Sequence, residues 1–105
     1  KKYAQYKGIP KLIITENGAS FPDEIIDGVV NDRDRTRFIQ LYLEQVLKAK
    51  NEGLNVHGYF VWALTDNFEW TEGYRQRYGL VYIDFQTQKR TIKDSGYWYR
   101  DFLSK

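Results

Sequence analysis

Apolar and polar positions change their spacing several times along the chain, and each change marks an element. Lys11-Leu12-Ile13-Ile14-Thr15 is a short apolar, β-branched run, the pattern of a strand buried on both faces in a parallel sheet. It stops at Glu16-Asn17-Gly18, a turn signal. Ahead of it, Tyr3, Ala4 and Tyr6 share a helical face that Gly8 and Pro10 bring to an end. Residues 19–31 read as a loop with Pro22 and Gly28. A helix follows: Phe38, Tyr42 and Val46 form one i, i+4 row, and Ile39, Leu43 and Leu47 form a second beside it. Asn31, Asp32 and Asp34 suit its cap or first turn, Lys48 and Lys50 its last turn, and Gly53 its terminator. Val56 to Leu64 is the next strand, where Gly58 permits close backbone approach. Gly79 to Asp84 alternates as a strand and pairs with Lys89-Arg90-Thr91 around Gln86-Thr87-Gln88. Asp94 or Ser95 then caps a final helix carrying Tyr97, Trp98 and Phe102.

Strand, helix, strand, decorated loop, helix is an α/β order and implies a parallel sheet with helical crossovers. Two parallel strands make no closed sheet, and parallel sheets need both faces covered, so further strands are expected from elsewhere. By length alone, 105 residues suffice for one small domain. The absence of cysteine excludes a disulfide framework or a thiolate metal site. Sixteen basic residues against 14 acidic ones, well mixed, give no reason to expect a nucleic acid or membrane partner. No apolar run approaches the ~20 residues of a membrane span, and no signal-peptide pattern opens the chain, which favours a cytoplasmic origin. Methionine is absent, and the opening Lys1-Lys2-Tyr3 reads as a cut end.

Four places are candidates for chemistry. Glu16 ends a β-branched run where strand meets loop, the rim at which α/β barrels gather catalytic groups; a solvent-facing glutamate before an Asn-Gly turn is the plainer reading. Trp62 through Trp70 offers two tryptophans, with Glu69 beside the second. An aromatic face covers the C–H surface of a pyranose while a carboxylate accepts from its hydroxyls; an aromatic core cluster fits the same pattern. Asp66 and Asn67 suit hydrogen bonds to their own loop backbone. His57, the only histidine, has no second ligand at a metal-site spacing and reads as packing or surface. Arg75 and Arg77 lack a glycine-rich turn or helix start and read as ordinary salt-bridge partners rather than a phosphate site.

Taken together, Leu12-Ile13-Ile14-Thr15-Glu16-Asn17-Gly18, Trp62 through Trp70, Gly73-Tyr74, Arg77-Tyr78-Gly79-Leu80 and Asp84 resemble the family 1 glycoside hydrolases, the β-glucosidase group. Lys89-Arg90-Thr91 and Trp98-Tyr99 extend the resemblance over nearly the whole chain. It implies a retaining β-glycosidase on a (β/α)8 TIM barrel that hydrolyses terminal β-linked glucose-type sugars. By the same resemblance Glu16 is the nucleophile, Trp62 stacks on the sugar, and Glu69 and Trp70 bind its outer hydroxyls. Tyr78 lines the subsite where the family commonly has phenylalanine, and Ile92 replaces a frequent proline. The phospho-sugar branch usually lacks the Glu-Trp pair, so Glu69 favours an unphosphorylated sugar. No cofactor or metal is implied.

Retaining hydrolysis needs two carboxyl groups about 5–5.5 Å apart. The family's acid/base glutamate lies in a T-N-E-P-like segment, and no such segment occurs among these residues. A complete barrel takes about 250 residues. The expectation is therefore that residues 1–105 are the C-terminal segment of one barrel domain, its last two strand–helix units. Such a segment is active only with a complementary N-terminal chain of the same enzyme. A catalytically inactive member of the fold that binds sugar or protein is the alternative.

Overall fold

The computed structural model describes residues 11–67 and 76–105. The helix expected before Gly8 and the site residues Glu69 and Trp70 lie outside the described residues, as does Arg75. Within them the order is β1 (Leu12–Asn17), α1 (Arg33–Asn51), β2 (Val56–Val61), β3 (Val81–Ile83), β4 (Arg90–Ile92) and α2 (Asp94–Leu103).

Strands β1 and β2 pair in parallel, Leu12 opposite Val56, Ile14 opposite Tyr59 and Asn17 opposite Val61, with α1 as the crossover. This is the parallel unit that the order of elements implied. Irregularities in register fall between Leu12 and Ile13 and between Ile14 and Asn17, so the pairing is re-phased just before the β1 terminus. Burial on both faces of the first strand is not observed. Leu12 and Ile14 are half-buried, whereas Ile13, Thr15 and Glu16 are exposed. On β2, Phe60 is likewise exposed. A single helical layer covers one face of two strands, and the alternation follows from that.

Helix α1 buries a narrower stripe than two full rows. Arg35, Ile39 and Leu43, spaced four apart, are its buried positions, while Tyr42 and Leu47 are nearly half exposed. Ile39, Leu43 and Leu80 form the core, with Phe38, Tyr59, Val61, Trp98, Tyr99 and Phe102 packed against them. The core thus lies where α1, α2 and β2 meet the start of β3. The helix ends as expected: Lys48 and Lys50 stand in its last turn, and Gly53 takes a φ of 92° that suits a residue without Cβ. Close approach at Gly58 is to the Ile13 side chain, whose Cγ2 would lie 3.2 Å from a Cβ there.

The expected hairpin forms as an antiparallel pair, Val81 opposite Ile92 and Ile83 opposite Arg90. Asp84 shapes its turn by accepting from the amides of Gln86 (3.0 Å) and Thr87 (3.1 Å). Strand β2 stops at Val61 rather than Leu64, because the chain turns at Trp62 into a segment that pairs with β3: the Val81 amide donates to Leu64 at 2.9 Å and the Asp66 amide to Val81 at 3.0 Å. The final helix also starts differently. Lys93 occupies its N-cap with no side-chain cap, and Asp94 and Ser95 lie inside the first turn. The Ser95 amide donates instead to Asp32, 63 positions away, at 2.8 Å.

Candidate functional site

Glu16 and Trp62 stand at the C-terminal ends of neighbouring parallel strands. The Trp62 amide donates to the Asn17 carbonyl at 2.9 Å, so the residue after Glu16 holds the tryptophan's backbone directly. The Asn17 side chain is fixed from the other side, its Oδ1 accepting from the Tyr59 hydroxyl at 2.5 Å. Burial pushes the Tyr59 hydroxyl up to about 12, with the neighbouring Tyr99 and Tyr42 adding to the effect. Tyr59 is therefore a neutral donor across the physiological range. Gly18 lies against the Trp62 carbonyl with no room for a Cβ. The peptide bond from Trp62 to Ala63 is cis. Glu16 and Trp62 both present exposed surface.

Tyr78 arrives from the far end of the intervening loop. Its carbonyl accepts from the Ala63 amide at 3.2 Å, which sets Tyr78 beside the residue that follows Trp62. The structure thus brings Glu16, Trp62 and Tyr78 to the same end of the molecule. His57 is exposed, its Nε2 2.5 Å from Asn55 Oδ1, and no group of possible metal ligands occurs among the described residues.

Beneath the site lies a buried charge cluster that is mostly invisible along the sequence. Asp66 accepts from Lys93 Nζ at 2.7 Å, Arg77 Nη1 at 2.7 Å and the Gly79 amide at 3.0 Å. Lys93 also reaches Asp23 at 2.6 Å, and Asp23 pairs with Arg35 at 2.8 Å. Arg35 pairs with Asp32 at 2.6 Å, and Asp32 accepts from the Ser95 hydroxyl at 2.5 Å. Among the described residues three carboxylates and three cations therefore balance, which is the condition under which buried charge is tolerated. Arg77 adds cation–π contacts to Tyr82 and Phe85, and its own carbonyl accepts from Arg35 Nη2 at 2.6 Å. Arg77 acts as a salt-bridge partner, as expected, and Asp66 does hold loop backbone. No sequence pattern announces the pairing of Asp23, Arg35 and Lys93 or the bonds from Ser95 to Asp32. The one local signal was Asp32 three residues before Arg35, a helical i, i+3 pair.

A carboxylate and a tryptophan at the C-terminal ends of paired parallel strands, joined by a helical crossover, fit a piece of a β/α barrel. The glycosyl hydrolase family 1 model matches residues 2–105, and the chain belongs to that family. It is 51% identical over 104 residues to β-glucosidase A of Thermotoga maritima, a match covering 98% of this chain and 23% of that protein. It is 48% identical over 96 residues to a 6-phospho-β-galactosidase of Clostridium acetobutylicum, covering 91% of this chain and 20% of the relative. Among solved structures, the family 1 β-glucosidase of Thermotoga maritima superposes with a TM-score of 0.95 at 47% identity, over 98% of this chain and 24% of that one. The fold matches part of a TIM barrel, and the chain spans less than a quarter of the length of these relatives.

Proposed function

We propose that this chain supplies the nucleophile and much of the sugar-binding subsite of a retaining β-glycosidase acting on terminal β-linked, glucose-type sugars. It forms the last two strand–helix units of the barrel and works with a complementary N-terminal segment that carries the acid/base. The observation that supports this reading best is the hydrogen-bonded junction of Asn17 and Trp62, which holds the strand ends bearing Glu16 and Trp62 side by side.

The chemistry follows from those positions. The Glu16 carboxylate attacks the anomeric carbon while the leaving oxygen takes a proton from the acid/base, giving a covalent glycosyl ester. Water, deprotonated by the same acid/base, then displaces Glu16, and two inversions leave the configuration retained. Trp62 stacks on the C–H face of the ring, and Glu69 and Trp70 hydrogen-bond its outer hydroxyls. Tyr78 lines the same subsite with an added hydroxyl.

Relatives named as β-glucosidases and as 6-phospho-β-galactosidases both match. The carboxylate of Glu69 repels a phosphoryl group, which favours the unphosphorylated sugar. In the complex with its complementary segment, the chain should hydrolyse a nitrophenyl β-glucoside and leave the corresponding 6-phospho-β-galactoside nearly untouched. Glu16→Ala should abolish turnover while Asp94→Ala barely alters it. Equal activity in the two variants would refute the site, and preference for the phosphorylated substrate would move the chain to the other specificity.

A further inference from the structure

We infer that Tyr59 is a positioning residue for Glu16, acting through Asn17 on the irregular stretch of β1 in which Glu16 lies; the catalytic consequence rests on the function proposed above. The first observation is register. Ile14 stands opposite Tyr59 and Asn17 opposite Val61, so Thr15 and Glu16 on β1 span the same interval as Phe60 on β2. Two residues against one is the count of a β-bulge, a device that re-aims a side chain. Burial shows the same break. In a regular strand Glu16 would share the half-buried face of Leu12 and Ile14, since side chains alternate. Glu16 is instead exposed next to exposed Thr15, and Asn17 takes the half-buried side.

A side-chain bond holds that break in place. The Tyr59 hydroxyl donates to Asn17 Oδ1 at 2.5 Å, although the residue opposite Tyr59 in the register is Ile14. The tyrosine thus bridges the interval, its backbone opposite the start and its hydroxyl on the end. Its ring packs against the core of Ile39, Leu43 and Leu80, which gives the hydroxyl a rigid base. Burial keeps that hydroxyl protonated, so the donor persists at neutral pH. The Trp62 amide holds the carbonyl of the same asparagine at 2.9 Å, and that backbone bond needs no tyrosine. Without the hydroxyl, the extra residue is free to relax toward regular pairing. A slip of one residue carries a side chain to the opposite face of a strand, and the side chain at stake is Glu16.

The test uses the complex of the chain with its complementary barrel segment, the chain carrying glutamate labelled with 13C at Cδ. The Glu16 resonance is assigned by Glu16→Gln. Tyr59→Phe removes the hydroxyl and keeps the ring. It should shift or broaden the Glu16 resonance. It should also slow the limiting rate of inactivation by a 2-deoxy-2-fluoro β-glucoside about tenfold, with the half-saturating concentration within about twofold of wild type, because a misplaced group costs rate. That split is expected because the bond from Trp62 to Asn17 survives the substitution. Asn17→Ala should reproduce both changes from the other end of the bond. Tyr59→Phe added to Asn17→Ala should change neither readout further, since the two side chains act through one contact. Asp84→Ala, at the turn of the distant hairpin, should lower Tm and move neither readout. If Tyr59→Phe does not assemble, Asn17→Ala is read by the same resonance and rate. A Tyr59→Phe or Asn17→Ala complex that loses stability yet keeps the wild-type resonance and inactivation rate would overturn the inference, as would additive losses in the double variant. A wild-type complex that the reagent does not inactivate contradicts the proposed function instead, and the Glu16 resonance still decides the positioning.

Discussion

Asn17 and Trp62 share a backbone hydrogen bond of 2.9 Å that locks the ends of the two parallel strands together. Through it, the position of Glu16 in β1 and that of the tryptophan after β2 become one variable. Gly18 closes the same junction from the side, since a Cβ there collides with the Trp62 carbonyl.

Gly18→Ala should therefore be costly for a single added methyl group. Overpacking of this kind destabilises by about 1–3 kcal/mol. The backbone of Trp62 must shift to admit it, so on the proposed function kcat/KM of the complex with its complementary segment for a β-glucoside should fall further than the loss in Tm alone explains. Thermal unfolding and steady-state kinetics on the same preparation measure both.

Tyr59 predicts an alkaline response. Its pKa is raised in the fold to about 12 from 10.0, so the neutral hydroxyl is favoured in the native state. The associated stability is fully present below pH 10 and is lost as pH rises toward 12. Tyr59→Phe should cost about 1 kcal/mol at neutral pH by removing the bond to Asn17. It should also flatten the loss of stability in that alkaline window. A residual slope is expected from Tyr99, whose hydroxyl burial also pushes up. Denaturant titrations across the window read the difference.

Lys93 has no solvent to fall back on. Its ammonium lies between Asp23 and Asp66, and Lys93→Met leaves two buried carboxylates short of a cation. Removing one partner of a buried pair costs about 3–5 kcal/mol. Urea unfolding should register a loss of that order, whereas Arg100→Met, which breaks an exposed pair with Asp101, should change little.

Asp84 gives the opposite pH sign at an exposed turn. The Thr87 and Gln86 amides donate to its carboxylate and hold its pKa below the usual value. Its contribution is present above the ordinary carboxylate pKa and fades as pH falls through the lowered one. Asp84→Ala should weaken the hairpin at neutral pH and converge with wild type in acid, as seen by amide hydrogen exchange at Val81 to Ile92.

The parts legible in the sequence were those whose causes are local. Ile39 and Leu43 show their burial by helical spacing, Gly53 its positive φ by its place after the helix, and Gln86-Thr87-Gln88 its turn by composition. The family was readable in the motifs that contain Glu16 and Trp62. What stayed hidden depended on distant chain. The burial of Lys93 is set by Asp23, 70 residues earlier, and no pattern around either residue announces the other. Ser95 looked like a cap for its own helix, yet its hydroxyl and amide serve Asp32 across the fold. The exposed side of β1 has a related cause: a run of β-branched residues reports what a strand can bury, and among the described residues no second layer lies beside that side.

The most direct measurement is mass spectrometry of the assembled complex after reaction with a 2-deoxy-2-fluoro β-glucoside, which traps a glycosyl ester on the nucleophile. A single fluoroglucosyl adduct on the peptide containing Thr15-Glu16-Asn17, absent from Glu16→Gln, is the expected result. An active complex that carries its adduct on any other residue would contradict the assignment of Glu16 as nucleophile.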